Sequence, residues 1–210
     1  MTEPQQLPDV SPTSLADLVG EDRIVDPGIR PLWADMPRVA GPVYAVRCAP
    51  GDNLMMHAAI YRAAPGSVIV VDAGGSQLAV AGGNVCAVAR KRGIAAFVVD
   101  GYVRDVAEAR EIGFPVFARG AFPKPGTKEA VLPQGEAVVG GVAIRTGDVV
   151  VADEEGIVVL EADLASDLLR AAEERETAET GQSLDDWEQA HRRKIRAGLV
   201  AGGDTGGLPD

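Results

Sequence analysis

Ala95-Ala96-Phe97-Val98-Val99-Asp100-Gly101-Tyr102-Val103-Arg104-Asp105 joins an unbroken apolar run to an adjacent guanidinium and carboxylate. An apolar run of this length, with no polar alternation, is a strand buried on both faces, as in a parallel sheet. The same pattern recurs upstream at Ser67–Val71 and downstream at Pro115–Ala118. Helical stretches lie between these runs. Asn84–Arg92 is closed by Gly93, and Val106–Ile112 ends at Gly113. Earlier, Pro42–Cys48 reads as a first strand. Gly51-Asp52-Asn53 then opens a helix through Leu54, Met55, Ala58, Ala59 and Arg62, closed by Pro65-Gly66. Strand, helix, strand, helix, strand predicts parallel βαβ units and an α/β fold.

Arg104 and Asp105 therefore leave the C-terminal end of a buried strand. Two readings of the pair stand side by side. A planar guanidinium grips a carboxylate or polarised carbonyl, and an adjacent carboxylate offers hard oxygen to a divalent metal. Alternatively the two form a surface ion pair that caps the helix starting near Val106. Two other loops leave strands on the same side, Asp72-Ala73-Gly74-Gly75 and Gly82-Gly83-Asn84. In parallel sheets ligands gather where such loops converge. The second precedes a helix, whose first N–H groups can receive an anion, or the glycines merely relieve crowding there. No G-x-G-x-x-G is present, so a dinucleotide site is not expected.

The 210 residues suffice for one large or two small domains, and 46% of them are hydrophobic. With four Phe, three Tyr and two Trp, the core must be built mainly of Val, Ala, Leu and Ile. A net charge of −11 argues against nucleic acid as a partner, since phosphate neutralisation needs clustered Lys and Arg. The two cysteines, Cys48 and Cys86, form no C-x-x-C or Cys/His cluster, so neither zinc nor a disulfide framework is indicated. Cys86 reads as core. No apolar run reaches membrane-spanning length and the N-terminus lacks signal-peptide character, so a cytoplasmic protein is expected.

The second half changes character. Ala137–Ile144, Val149–Ala152 and Ile157–Leu160 are short strands separated by glycine and acidic turns. From Asp163 the chain is helical, with Leu164, Leu168 and Ala172 on one stripe, and residues 183–197 form a second amphipathic helix. Residues 1–13, with Pro4, Pro8 and Pro12, read as a flexible arm. Ser14 is placed to cap a short helix Leu15–Val19. The expected organisation is an arm over 1–13, an α/β domain over 14–160, helices over 161–197 that pack on that domain or on a neighbouring subunit, and a flexible tail over 198–210.

Val70-Val71-Asp72-Ala73-Gly74-Gly75, Ala89-Arg90-Lys91-Arg92-Gly93, Val99-Asp100-Gly101-Tyr102-Val103-Arg104-Asp105-Val106 and Gly113-Phe114-Pro115-Val116-Phe117-Ala118-Arg119-Gly120, together with Gly147–Asp153 and Gly156–Val159, resemble the RraA-like family over roughly residues 14–180. That family includes 4-hydroxy-4-methyl-2-oxoglutarate/4-carboxy-4-hydroxy-2-oxoadipate aldolases and RraA-type regulators of ribonuclease activity. The resemblance implies a swivelling β/β/α sandwich with a central mixed sheet or small barrel and C-terminal helices. It also implies trimers or hexamers with sites at subunit interfaces. It assigns Arg104 to the pyruvyl group and Asp105 to Mg²⁺ or Mn²⁺. The backbone of Gly82, Gly83, Asn84 and Val85 would hold the substrate carboxylate.

One departure stands out. The aldolase pattern has an acidic residue separated from the Arg-Asp pair by twenty intervening residues, and here that residue is Gly83. Asp72, Asp100 or a neighbouring subunit's Glu173, Glu174, Glu176 or Glu179 could supply the missing carboxylate, or each could be structural. Arg119 and Lys124 could meet a distal substrate carboxylate or be solvated surface groups, and His57 is assigned no chemistry. The expected function is a divalent-metal-dependent lyase that releases pyruvate from a 2-oxo acid by aldol cleavage or decarboxylation. A non-catalytic RraA-type regulatory oligomer and a family enzyme repurposed for another anionic substrate are the alternatives that Gly83 raises.

Overall fold

The computed structural model describes residues 7–204 and 206–208. Four parallel strands form its centre: β2 (Val39–Arg47), β3 (Val68–Asp72), β4 (Ala96–Val103) and β5 (Val116–Ala121). The helices α2 (Leu54–Arg62), α3 (Gly83–Lys91) and α4 (Val106–Glu111) link them in sequence, so the expected βαβ units are present. Short β1 (Arg30–Pro31) borders β5 antiparallel. At the other edge, β8 (Val149–Ala152) and β9 (Ile157–Leu160) add antiparallel, giving a seven-stranded mixed sheet in the order β1-β5-β4-β3-β2-β8-β9. β2 serves both halves. Its residues 39–42 pair with β8, and 43–47 pair with β3. The strand changes partner at Pro42, which has no N–H to donate to a ladder.

Alternation along the central strands divides their side chains between two cores. Ile69, Val71, Phe97 and Val99 face α2, α3 and α4, packing with Met56, Ala59, Cys86, Ala89 and Ala109. Phe97 meets Phe114 edge-on at 4.7 Å between ring centroids. Val68, Val70, Ala96, Val98 and Phe117 face the opposite way, against the hairpin β6 (Glu136–Val139) and β7 (Val142–Arg145). A third cluster joins Val151, Val158 and Leu160 to Val10, Leu15, Ala165, Leu169 and Ala172.

Several elements differ from expectation. Helix α1 is Pro12–Ala16, and its cap is Ser11, not Ser14: Ser11 Oγ accepts from Ser14 N at 3.1 Å. Pro12 suits the first helical position, where its missing N–H costs nothing. Helix α5 (Ala165–Thr180) buries Ala165, Leu169 and Ala172, whereas Leu164 is exposed. Ala172 is buried as predicted, but the other two buried positions lie one residue later than Leu164 and Leu168. Helix α6 (Leu184–Ala201) begins at the Ser183 cap and runs past Gly198. Val10, within the expected arm, is buried. Residues 1–6 of that arm and residues 205, 209 and 210 of the expected tail lie outside the described residues.

The chain divides into two compact units, Met1–Glu173 and Glu174–Asp210. The second comprises the end of α5 and α6, where Trp187 stacks on His191 at 4.6 Å. Among the described residues, no helix is long and apolar enough to cross a membrane.

Candidate active site

The site lies in the first unit, where β4 ends. The ladder between β4 and β5 shifts register between Val99 and Tyr102, and a bulge of this kind re-aims the residues that follow. Gly101 permits the bend, because a Cβ there would lie 2.5 Å from the Cβ of Ala73. Beyond it, Arg104 N donates to Ala81 O at 3.0 Å, and Val80 N donates to Tyr102 O at 2.9 Å. The segment 79–82 is thereby laid beside 102–104. On its other flank, Ala79 N donates to Lys124 O and Gly126 N donates to Ala79 O.

Asp105 does not cap its own helix. Its backbone is left-handed, φ 57° and ψ 39°, and its side chain makes no bond to the first turn of α4. A non-glycine residue held there is strained, and such strain clusters at functional sites. The carboxylate turns to the start of α3 instead, where Oδ2 accepts from Gly83 N at 3.2 Å. It also faces Arg104 Nε at 3.3 Å. The surface-cap reading of the Arg-Asp pair is therefore corrected: the ion pair exists, but it serves a different helix.

Gly82 is the N-cap of α3 and contributes no side-chain acceptor. The N–H groups of Asn84 and Val85 belong to the first turn, where no intrahelical acceptor exists. Both glycines leave room for side chains at the end of β4 and the start of α4. A Cβ on Gly82 would lie 2.6 Å from Asp105 Oδ2 and 3.0 Å from Arg104 Cγ. A Cβ on Gly83 would fall on the carboxylate of Glu108, whose Cδ would be only 2.7 Å away. Glu108 thus fills the space above Gly83 where the aldolase pattern puts an acidic side chain. Sequence reasoning missed it. The signal was available in its spacing, since Glu108 follows Asp105 by three residues at the start of a helix and so shares its face.

A cavity of about 80 Å³ collects Gly82, Asn84, Val85, Arg104 and Asp105 with Asn53, His57 and Lys128. The first five were expected at the site; Gly83, also expected there, is not part of the lining, and Asn53, His57 and Lys128 had been given no role. Asn53 is buried. Its Nδ2 donates to Ala79 O at 3.4 Å and Gly126 O at 3.3 Å, leaving Oδ1 without a partner. Burial, and then the Lys128 ammonium, push the His57 imidazole below its ordinary value, with the Val80 backbone and Asp52 opposing.

Asp72 and Asp100 are structural instead of substitutes for the missing acid. Asp72 Oδ1 accepts from Gly74 N at 2.8 Å, and Asp100 Oδ2 accepts from Gly140 N at 2.7 Å. Arg119 pairs with Asp100 and Asp26, away from the cavity lining. Cys86 is buried behind the site. Burial, then the Asp105 charge, push its thiol up to about 12. Burial likewise raises Cys48 to about 11.

Among the described residues, no group of three or more His, Cys, Asp and Glu side chains gathers at one point. What the α3–α4 junction offers is a pair of carboxylates, Asp105 and Glu108. That donor set fits a hard cation such as Mg²⁺ or Mn²⁺, which keeps several waters and takes one or two carboxylates.

A protein of Halalkalibacterium halodurans named "Putative 4-hydroxy-4-methyl-2-oxoglutarate aldolase" is 40% identical over 144 residues, 66% of this chain and 67% of that one. One of the same name from Albidiferax ferrireducens is 37% identical over 153 residues, 68% of this chain and 87% of that one. The solved structure of the RNA-processing inhibitor RraA from Thermus thermophilis superposes with a TM-score of 0.65 at 31% identity, covering 73% of this chain and 93% of that one. The pattern of the RraA-like family, Aldolase/RraA, matches residues 8–159, so the chain belongs to that family.

Proposed function

We propose that the protein is a divalent-metal-dependent lyase that cleaves a 2-oxo acid and releases pyruvate. The substrate is a 4-hydroxy-2-oxo acid, as in the names of its relatives, or oxaloacetate. One observation carries this reading: Arg104 and Asp105 line the cavity beside Gly82 at the glycine start of α3, and the Glu108 carboxylate lies against the neighbouring Gly83. The first-turn N–H groups of Asn84 and Val85 receive the substrate carboxylate, as a helix N-terminus receives an anion. Arg104 lies against the 2-oxo oxygen, where negative charge develops as the enolate forms. Asp105 and Glu108 hold Mg²⁺ or Mn²⁺. The ion, when bound, supplies Lewis-acid polarisation of the 2-oxo group.

Asp105 thus serves two partners, the α3 amide and the ion, with the Arg104 guanidinium beside it. The side chains of Arg104 and Asp105 remain 42% and 37% exposed. A neighbouring subunit in a homotrimer or hexamer would cover this open side and complete the site.

The test is pyruvate release from oxaloacetate and from 4-hydroxy-4-methyl-2-oxoglutarate, with and without Mn²⁺. Activity is expected only with metal. Asp105→Ala and Arg104→Ala each lower it by about 10²–10³-fold. Absence of pyruvate from both substrates at saturating Mn²⁺ would reject the lyase reading. The likeness to the RNA-processing inhibitor supports a second reading, a regulatory oligomer that binds a partner protein. On that reading, partner capture would survive Asp105→Ala.

A further inference from the structure

An aldol cleavage needs a group to take the proton from the C4 hydroxyl, and the carboxylates that hold the ion are engaged elsewhere. Resting on the lyase reading above, we propose that His57 is the general base for C–C cleavage of 4-hydroxy-2-oxo acids. It projects from the first turns of α2 into the same cavity as Arg104 and Asp105. Its position is fixed from several sides. His57 N donates to Asn53 O at 3.0 Å, setting the helical turn that presents the ring. The Val80 backbone lies close to the imidazole. A neutral imidazole keeps one ring nitrogen with its lone pair for a substrate.

Charged groups of both signs surround the ring: Lys128 from the irregular segment after β5, Asp52 from the loop before α2, and Arg104 and Asp105 from the end of β4. Burial and the nearby ammonium favour the neutral imidazole. Asn53, one turn earlier on the same helix, adds an acceptor with no donor of its own, Oδ1. Its two donated bonds fix the amide orientation, so the unmatched atom is the oxygen. A buried acceptor without a donor is costly, and a substrate hydroxyl or a water satisfies it.

The step balances without any redox partner. The free nitrogen of His57 takes the O–H proton, and the oxygen's electron pair forms the C4 carbonyl. The C3–C4 bond breaks, and its pair moves into the C2–C3 enolate beside Arg104. Water then protonates C3, giving pyruvate and a second carbonyl compound, and the imidazolium returns its proton to solvent. Decarboxylation of oxaloacetate yields the same enolate by loss of CO₂ and involves no hydroxyl proton. The two reactions therefore share Arg104, Asp105 and Glu108 but differ in their need for His57.

That difference is the experiment. His57→Gln and His57→Asn are assayed with Mn²⁺ on both substrates, and pyruvate binding is measured by calorimetry. Aldol cleavage is expected to fall about 10²–10⁴-fold, while decarboxylation and pyruvate affinity stay near those of the unaltered protein. The acid limb of the kcat/KM profile for aldol cleavage disappears in both variants. Added imidazole restores part of the lost rate. Equal losses in the two reactions, weakened pyruvate binding, or undiminished aldol cleavage would each overturn the assignment. An unaltered protein that decarboxylates oxaloacetate but cleaves no 4-hydroxy-2-oxo acid also overturns it, while leaving the lyase reading intact. Failure on both substrates sinks the lyase reading itself.

Discussion

Gly83 looks from the sequence like a loss, the point where an expected carboxylate is gone. In three dimensions the space is filled by Glu108. Arg104 and Asp105 were legible because they stand together at the end of an apolar run. Glu108 was not, because the search for a substitute followed position along the chain and not the face shared by residues three apart in a helix. The left-handed backbone of Asp105 was equally hidden, since no residue type announces it. If Glu108 stands in for a side chain at position 83, the two sites must be strongly coupled. Gly83→Asp alone crowds the Glu108 carboxylate and is expected to lower metal-dependent turnover at least ten-fold, on the order of 1–3 kcal/mol of coupling. Glu108→Ala alone also lowers it. The double substitution Gly83→Asp, Glu108→Ala is expected to recover activity above either single variant. Steady-state rates with Mn²⁺ and calorimetric metal affinities close the cycle. Additive losses would separate Glu108 from the role of the missing acid.

At the scale of elements, the parallel strands and their helices were readable because their periodicity has only one good explanation. What escaped was the irregular segment between β5 and β6, which has no period to read. It is nevertheless held tightly. Asp52 Oδ2 accepts from Thr127 Oγ1 at 2.9 Å, Glu129 N at 2.7 Å and Ala130 N at 3.3 Å, and Asp52 Oδ1 accepts from Leu54 N at 2.8 Å. Burial pushes the Asp52 carboxyl up, but these donors together outweigh it and hold the group below its ordinary value. Asp52 thus ties the start of α2, which carries His57, to the strap that carries Lys128. Its own position between Gly51 and Asn53 had suggested only a helix-start loop. Asp52→Ala is expected to release the strap, removing bonds to part-buried donors at a cost of about 1 kcal/mol for each bond lost. The readouts are a lowered Tm, faster amide exchange at Glu129 and Ala130, and a KM that rises more than kcat falls. An unchanged KM would mean that the strap takes no part in holding substrate.

For the molecule as a whole, two groups near the cavity whose values are lowered act in the same direction on stability. His57 and Asp52 both have folded-state values below their ordinary ones. For each, the unfolded chain binds protons first as pH falls, so acid favours unfolding. The contribution from His57 is complete above its unfolded value, about 6.5, and is lost as pH falls through its lower folded value. That from Asp52 is complete above about 3.9 and is lost further into acid. Acidification should therefore weaken the fold in two separated windows, one starting near neutrality and one starting near the carboxylate range. The first should vanish in His57→Gln, which has no proton to gain, and the second should be reduced in Asp52→Ala. Tm measured by calorimetry from pH 8 to pH 3, at fixed ionic strength and without metal, resolves the two. A first window that persists in His57→Gln would show that the ring is not held neutral by the cavity, and would also remove the electrostatic support for its use as a base.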